Sequence, residues 1–369
     1  MTGFKRTLFS TVLILMAGAS CAPVSKLPKV DDTLAAVEAQ KQRELVLKNY
    51  LADYRRIHSI AFKIFENNTD LCGPVVGNSI GIKIGTGDFL GKDYKKAAES
   101  LYGFSSLTRV WSVAKGSPAD EAGMKVNDIL VSINGWSIPA KEEESSKITE
   151  KMQQALSEDK TIEFVVLTDG ETQKLSAHPK PICQYGVFIE HNDAVNAFAD
   201  SKSIYFTTGM MRLATTETEL ATVVGHEVAH NLMDHIPKKE GNQAIGLIFD
   251  LLFAGLGVNT QGAFTKIGAR AYSQEFEAEA DYVGLYLMAR SGYAVDDSPN
   301  FWRNMAIAHP SSIKTNHASS HPATPHRFVA LEKTVEEIKR KKAAGKALIP
   351  DAGINPSRKS ESEEQQPFG

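Results

Sequence analysis

The sequence predicts an α+β chain: a mainly helical domain with a small edge β-hairpin, into which a separate β-rich domain is inserted. Three observations carry this prediction. Apolar residues recur at helical spacing from Asp31 to about Asn68 without Pro or Gly. Between Cys72 and Cys183 the texture changes to glycine-rich loops and short strand-like runs. Beyond Cys183 a brief strand signal gives way to helix-forming stretches, one of which contains VVGHEVAHNLMDH, from Val223 to His235.

A chain of 369 residues, 42% hydrophobic and 23% charged, is long enough for two cored domains. Its formal net charge of -3 offers no basic excess, and Lys and Arg are scattered apart from a short KRKK run ending at Lys342, so no nucleic-acid partner is expected. Residues 1–21 read as an export signal: Lys5 and Arg6, an apolar run from Leu8 to Ala17, then small residues leading to Cys21. The run is shorter than the roughly 20 residues a bilayer needs. Gly18-Ala19-Ser20-Cys21 resembles a bacterial lipobox, in which the cysteine is lipidated and becomes the new N-terminus; cleavage after Ala19 is the alternative. Ala22 after the cysteine resembles outer-membrane sorting. The expected location is therefore the periplasm of a Gram-negative bacterium, held at the membrane surface through Cys21.

Of three cysteines, a lipidated Cys21 leaves Cys72 and Cys183, which in an oxidising compartment pair with each other and clamp the ends of the insertion. Residues 31–72 are the N-terminal helices of the main domain, one long helix or two, beginning at Asp31 or Asp32 and stopping before the Cys72-Gly73-Pro74 breaker. Residues 73–182 form the inserted domain. At its centre Pro118 suits the first turn of a short helix and Gly123 its end. Ile129, Val131 and Ile133 then alternate as a strand, and Asn134-Gly135 signals a two-residue hairpin. A helix from about Glu142 to Leu156 and a strand from Ile162 to Leu167 follow. This order resembles the PDZ domains of bacterial periplasmic proteases, which bind an extended chain end by strand addition. The loop holding a terminal carboxylate would fall near Leu101, Tyr102, Gly103 and Phe104.

Residues 183–340 complete the main domain. Ile204 to Thr207 is strand-like, with a turn at Asp200 to Ser203. Thr216 followed by Glu219 is a capping box, so a helix starts there and runs through the histidine motif. His226, Glu227 and His230 spell H-E-x-x-H. Residues four apart lie on one helix face, so both imidazoles reach one metal ion while the glutamate faces the same site. Zinc then needs a third protein ligand. Glu275, Glu277 and Glu279 compete for that position, and two helical residues turn about 200 degrees, so a metal-facing Glu277 excludes its neighbours. Only Glu277 has an aspartate, Asp281, one turn on, placed to accept the other ring N–H of a ligand histidine.

HEVAH, the run from Glu277 to Asp281 with Gly284, and His321-Pro322 with Arg327 together resemble the zinc metallopeptidase family of HtpX and the CAAX prenyl proteases, across Asp31 to Arg340 apart from the insertion. The resemblance implies a zincin-type fold, one Zn2+ on His226, His230 and Glu277, Glu227 as catalytic base, and Asp281 supporting a ligand. Peptide bonds of unfolded or misassembled envelope proteins are the implied substrate, with a chaperone-like adaptor carrying a silent site as the alternative. His321 or Arg327 would stabilise the oxyanion; His321 could instead be a fourth ligand that holds the enzyme shut. Substrate backbone would pair with the edge strand around Asn196, Ala197, Phe198 and Ala199. His235, five residues after His230 and about 140 degrees round the helix, should point away from the metal. With His309, His317 and His326 it reads as a surface or loop histidine. Ala244 to Phe264 reads as a helical hairpin or a flap over the cleft, and residues 341–369 as a disordered tail.

Overall fold

The computed structural model describes residues 30–104, 106–140, 145–158, 160–235, 274–308, 321 and 325–351. The expectations for residues 1–21 with Cys21, for 244–264, and for His309 and His317 lie outside the described residues. Among the described residues no helix is long and apolar enough to cross a membrane.

Residues 30–40 begin helix α1 (Asp32–Glu66), whose first amides are satisfied by Asp31: its Oδ1 accepts from the N–H groups of Thr33 at 2.8 Å and Leu34 at 3.2 Å. From Leu47 onward α1 turns apolar, burying Leu51, Tyr54, Ile57, Ile60, Ile64 and Phe65. It is one helix, as the lack of Pro and Gly allows.

The insertion is closed at its base twice. Strand β1 (Val76–Ser79) pairs antiparallel with β8 (Lys180–Cys183), Val76 opposite Cys183, and a disulfide joins Cys72 to Cys183 with Cα atoms 5.8 Å apart. Between them lies a six-stranded sheet of β2 (Ile82–Gly85), β3 (Arg109–Val113), β4 (Ile129–Ile133), β6 (Ile162–Thr168) and β7 (Glu171–Ala177) in that order, with β5 (Trp136–Ser137) added to β4. Asn134 and Gly135 both have positive φ, 48° and 78°, as the two-residue hairpin requires. Helix α3 (Pro118–Glu121) is capped by the Ser117 hydroxyl, and α4 (Ser145–Ser157) packs Met152 and Ala155 into the core of the sheet.

One expectation for this domain fails. Leu101 to Phe104 is no open carboxylate loop: Leu101 and Tyr102 end helix α2 (Lys92–Tyr102), and the N–H groups of Gly103 and Phe104 donate to the carbonyls of Glu99 at 2.9 Å and Ala98 at 3.3 Å. Their amides close the helix, and Phe104 is buried beside Leu47 and Leu51 of α1.

In the main domain β11 (Ser203–Thr207) runs parallel to β9 (Gly186–Glu190) and antiparallel to β10 (Ala197–Ala199), leaving β10 at the sheet edge. After α5 (Thr208–Leu213) comes α6 (Glu217–Leu232), started by the expected capping box of Thr216 and Glu219. Helices α7 (Gln274–Arg290), α8 (Ser298–Ala308) and α9 (Pro325–Ala343) follow. Helices α6 and α7 meet backbone to backbone. A Cβ on Gly225 would stand 2.7 Å from the Gly284 carbonyl oxygen, and one on Gly284 would stand 2.8 Å from His226 N, so only glycine permits this approach. The expected disordered tail does not begin at Lys341. Helix α9 runs to Ala343, the Leu348 carbonyl accepts from Arg290, and Lys341 pairs with Asp351, which holds residues 341–351 against the core. Residues 352–369 lie outside the described residues.

Candidate metal centre

His226 and His230 leave the buried face of α6 one turn apart, with their Nε2 atoms 3.0 Å from each other. Across the glycine contact α7 supplies Glu277, whose oxygens lie 3.6 Å from His226 Nε2 and 3.3 Å from His230 Nε2. His321 adds Nδ1 at 3.2 Å from His226 Nε2 and 3.0 Å from Glu277 Oε1. All four ligand atoms lie within 4.8 Å of one another, and Glu277 and His230 are 0% exposed. Tetrahedral ligands at the usual 2.0–2.1 Å from a divalent ion stand about 3.3 Å apart, so the donor set fits such an ion.

The outer nitrogens are also fixed. Asp281 only accepts, so His226 Nδ1–H donates to its Oδ1 at 2.9 Å and leaves Nε2 facing the cluster. The Ala197 carbonyl accepts from His321 Nε2–H at 3.1 Å, which leaves Nδ1 facing inward. Burial alone would drive protons onto Glu277 and Asp281. Opposite charge overrides it: at Glu277 the His321 imidazole acts first, joined by Arg327 Nη1 at 2.9 Å, and at Asp281 the Arg327 guanidinium leads, donating from Nε at 2.8 Å. Both carboxyls therefore titrate below their ordinary range. This corrects the expectation that Arg327 faces an oxyanion: it is 4% exposed, its fork is engaged by two carboxylates, and its plane lies over Trp302 at 5.5 Å.

Glu227 behaves oppositely although it is equally buried. Burial raises its proton affinity, against the pull of His321 and His226, and its Oε2 has no hydrogen-bond partner among the described residues. Its Oε1 is 3.7 Å from His321 Nε2. A buried carboxylate with an unmet oxygen beside four converging donors can exchange a proton with a group that enters.

The expected substrate edge borders this cluster. Ala197, Phe198 and Ala199 form β10, which pairs only with β11 among the described residues, and the Asn196 carbonyl accepts from Thr207 N–H at 3.0 Å while Asn196 N–H donates to Thr207 Oγ1 at 3.1 Å. Asn231, next to ligand His230, ties this hairpin to α6. Its side chain accepts from Ser201 N at 2.7 Å and donates to Ser203 O at 3.0 Å.

His235 contradicts its expected place. It is 5% exposed, and its Nδ1 lies 3.0 Å from Nδ1 of His230. The angular argument assumed that the helix continues, but α6 stops at Leu232. Met233 caps it, Asp234 takes a left-handed φ of 60°, and the chain folds back so that His235 N–H donates to the His230 carbonyl at 3.1 Å. His326, by contrast, is exposed as expected.

Residues 109–166 match a PDZ domain model. A mitochondrial metalloendopeptidase, OMA1, of Arabidopsis thaliana is 28% identical over 199 residues, covering 49% of this chain and 39% of that protein. The Bos taurus counterpart is 30% identical over 39% of this chain and 31% of its own length. A beta-barrel assembly-enhancing protease of Escherichia coli is 28% identical over 31% of this chain and 26% of its own. The chain thus spans less than half the length of these relatives. Over residues 171–335, which hold His226, Glu227, His230, Glu277 and His321, it is similar to peptidase family M48.

Proposed function

We propose that this chain is a zinc-dependent endopeptidase of the bacterial cell envelope that cuts misfolded or unassembled envelope proteins. The observation that carries the reading is the pairing of four converging donors with Glu227, a buried carboxylate with one oxygen unmet. Imidazole and carboxylate donors at tetrahedral spacing favour zinc, held by His226, His230 and Glu277. When bound, the ion supplies a Lewis acid that acidifies water and polarises a carbonyl. Glu227 takes a proton from the attacking water and returns it to the leaving amine. Its raised proton affinity suits both halves of that task. Asp281 keeps His226 in the ligating tautomer, and Arg327 keeps Asp281 and Glu277 ionised.

Substrate would add as a strand along β10, from Asn196 to Ala199. His321 bonds the Ala197 carbonyl and fills the fourth donor corner, which supports reading it as a fourth ligand that must swing away before a peptide binds. Released, His321 is placed to steady the oxyanion. The PDZ domain offers the β2 edge, paired only with β3 among the described residues, for chain ends. An envelope location rests on the export signal and on the name of the Escherichia coli relative, and a lipid anchor on Cys21.

The test is cleavage of casein by the full chain. Glu227→Gln should slow it about 10²- to 10⁴-fold, and a chelator should abolish it until zinc is returned. Cleavage by Glu227→Gln at the wild-type rate would sink the mechanism. Binding of unfolded casein without any cleavage would favour the adaptor reading.

A further inference from the structure

The two ligand histidines of α6 are supported in different ways. His226 leans directly on a carboxylate, the arginine-paired Asp281, at 2.9 Å. The outer nitrogen of His230 meets another imidazole: its Nδ1 lies 3.0 Å from Nδ1 of His235, and His235 Nε2 meets Glu279 Oε2 at 3.0 Å. The proton positions along this line follow from one end. The Glu279 carboxylate only accepts, so His235 carries its proton on Nε2 and leaves a lone pair on Nδ1. That lone pair accepts from His230 Nδ1–H, and His230 Nε2 is then bare and turned into the donor cluster, 3.3 Å from Glu277 Oε1.

We infer that His235 and Glu279 form a positioning relay that fixes His230 in its metal-ligating tautomer and ring orientation. The inference rests on the reading of His230 as a metal ligand. Three local features hold the relay in place. The left-handed turn at Asp234 returns the chain to α6, the His235 ring stacks on Phe276 with centroids 4.5 Å apart and planes at 14°, and the His235 N–H is bonded to the His230 carbonyl. Because α7 carries Glu277, Glu279 and Asp281, one helix supplies a ligand and the terminal acceptor behind each ligand histidine. Glu277 faces inward, and Glu279 reaches His235 from a side chain 32% exposed at the rim.

The relay predicts a pattern that simple packing does not. In full-length protein, with zinc affinity read by competition against a chromophoric chelator, His235→Phe keeps a flat ring on Phe276 but removes the acceptor, and should weaken zinc binding about 10- to 100-fold. His235→Gln, whose amide oxygen accepts and whose amide N–H donates, should recover most of that loss. At the rim, Glu279→Ala should weaken zinc binding several-fold and Glu279→Gln should restore it, with the thermal midpoint of the metal-free protein unchanged. A ring-nitrogen NMR spectrum should show His230 as the Nδ1–H tautomer in wild type. His230→Ala is the control: if it keeps zinc, the ligand assignment itself is wrong. If His230→Ala loses zinc while His235→Phe and Glu279→Ala both bind it within twofold of wild type, the relay is overturned and the site reading stands.

Discussion

At the crossing of α6 and α7, His226 and His321 sit among Glu227, Glu277, Asp281 and Arg327, all 6% exposed or less. At the seam between α1 and β3, His58 is 7% exposed and its Nδ1 meets the hydroxyl of Ser112 at 2.8 Å, with the Lys83 ammonium and the Tyr54 ring nearby. Burial acts on both places alike, yet the outcomes differ. Burial pulls His321 down, but the carboxylates of Glu277 and Glu227 outweigh it and lift the imidazole to about 9. His58 meets burial with Lys83 instead of a counter-charge and is pushed down to about 3. The lesson is that burial does not by itself decide whether a polar group stays charged here; the opposite charge supplied by a neighbouring helix does.

Removing the counter-charge at the crossing should have the largest effect. In chelated protein Arg327→Leu leaves Asp281 and Glu277 buried without their partner and should cost about 3–5 kcal/mol. Equilibrium denaturation checks this, and a loss under 1 kcal/mol would mean that the crossing tolerates unpaired carboxylates.

The base of the insertion is held by a covalent link as well. Replacing Cys72 and Cys183 with serine releases a link across 111 residues of sequence and should destabilise the folded chain by about 2–4 kcal/mol. The metal-binding constant should stay unchanged, because the bond closes the insertion and touches no ligand. A parallel loss of metal affinity would show that the base of the insertion and the crossing are one cooperative unit.

The smallest effect separates the two histidine environments by pH. A histidine whose folded pKa lies below its unfolded value binds protons preferentially when unfolded, so stability falls as pH drops from about 6.5 toward 3. For His58 the loss at pH 5 should be about 2 kcal/mol relative to neutral pH. Comparing wild type with His58→Gln across that window isolates it, and identical pH slopes would contradict the neutral, buried assignment.

Much of both regions was legible in the chain itself wherever the signal was local. The Thr216–Glu219 box, the Asn134-Gly135 turn and the i, i+4 pairs at His226 and Glu277 depend on neighbours within one or two turns, and each stands where periodicity put it. His235 was misplaced because a fixed angle per residue holds only while a helix lasts, and Asp234 ends it with one left-handed residue. The sequence alone points Arg327 at the substrate because only the fold brings it against Asp281, 46 residues away in sequence. The carboxylate-loop assignment failed for a related reason: α2 occupies the connection between β2 and β3, and its capping consumes the amides that a ligand would need.

The glycine pair at Gly225 and Gly284 has a consequence for how this site tolerates change. Because the two main chains touch directly at this crossing, the spacing of the helices that carry the histidine pair and Glu277 is set there by peptide groups rather than by a compressible side chain. Drift in the apolar residues around the crossing leaves that spacing untouched. A single added methyl group at either glycine would shift His226 and His230 relative to Glu277 in one step.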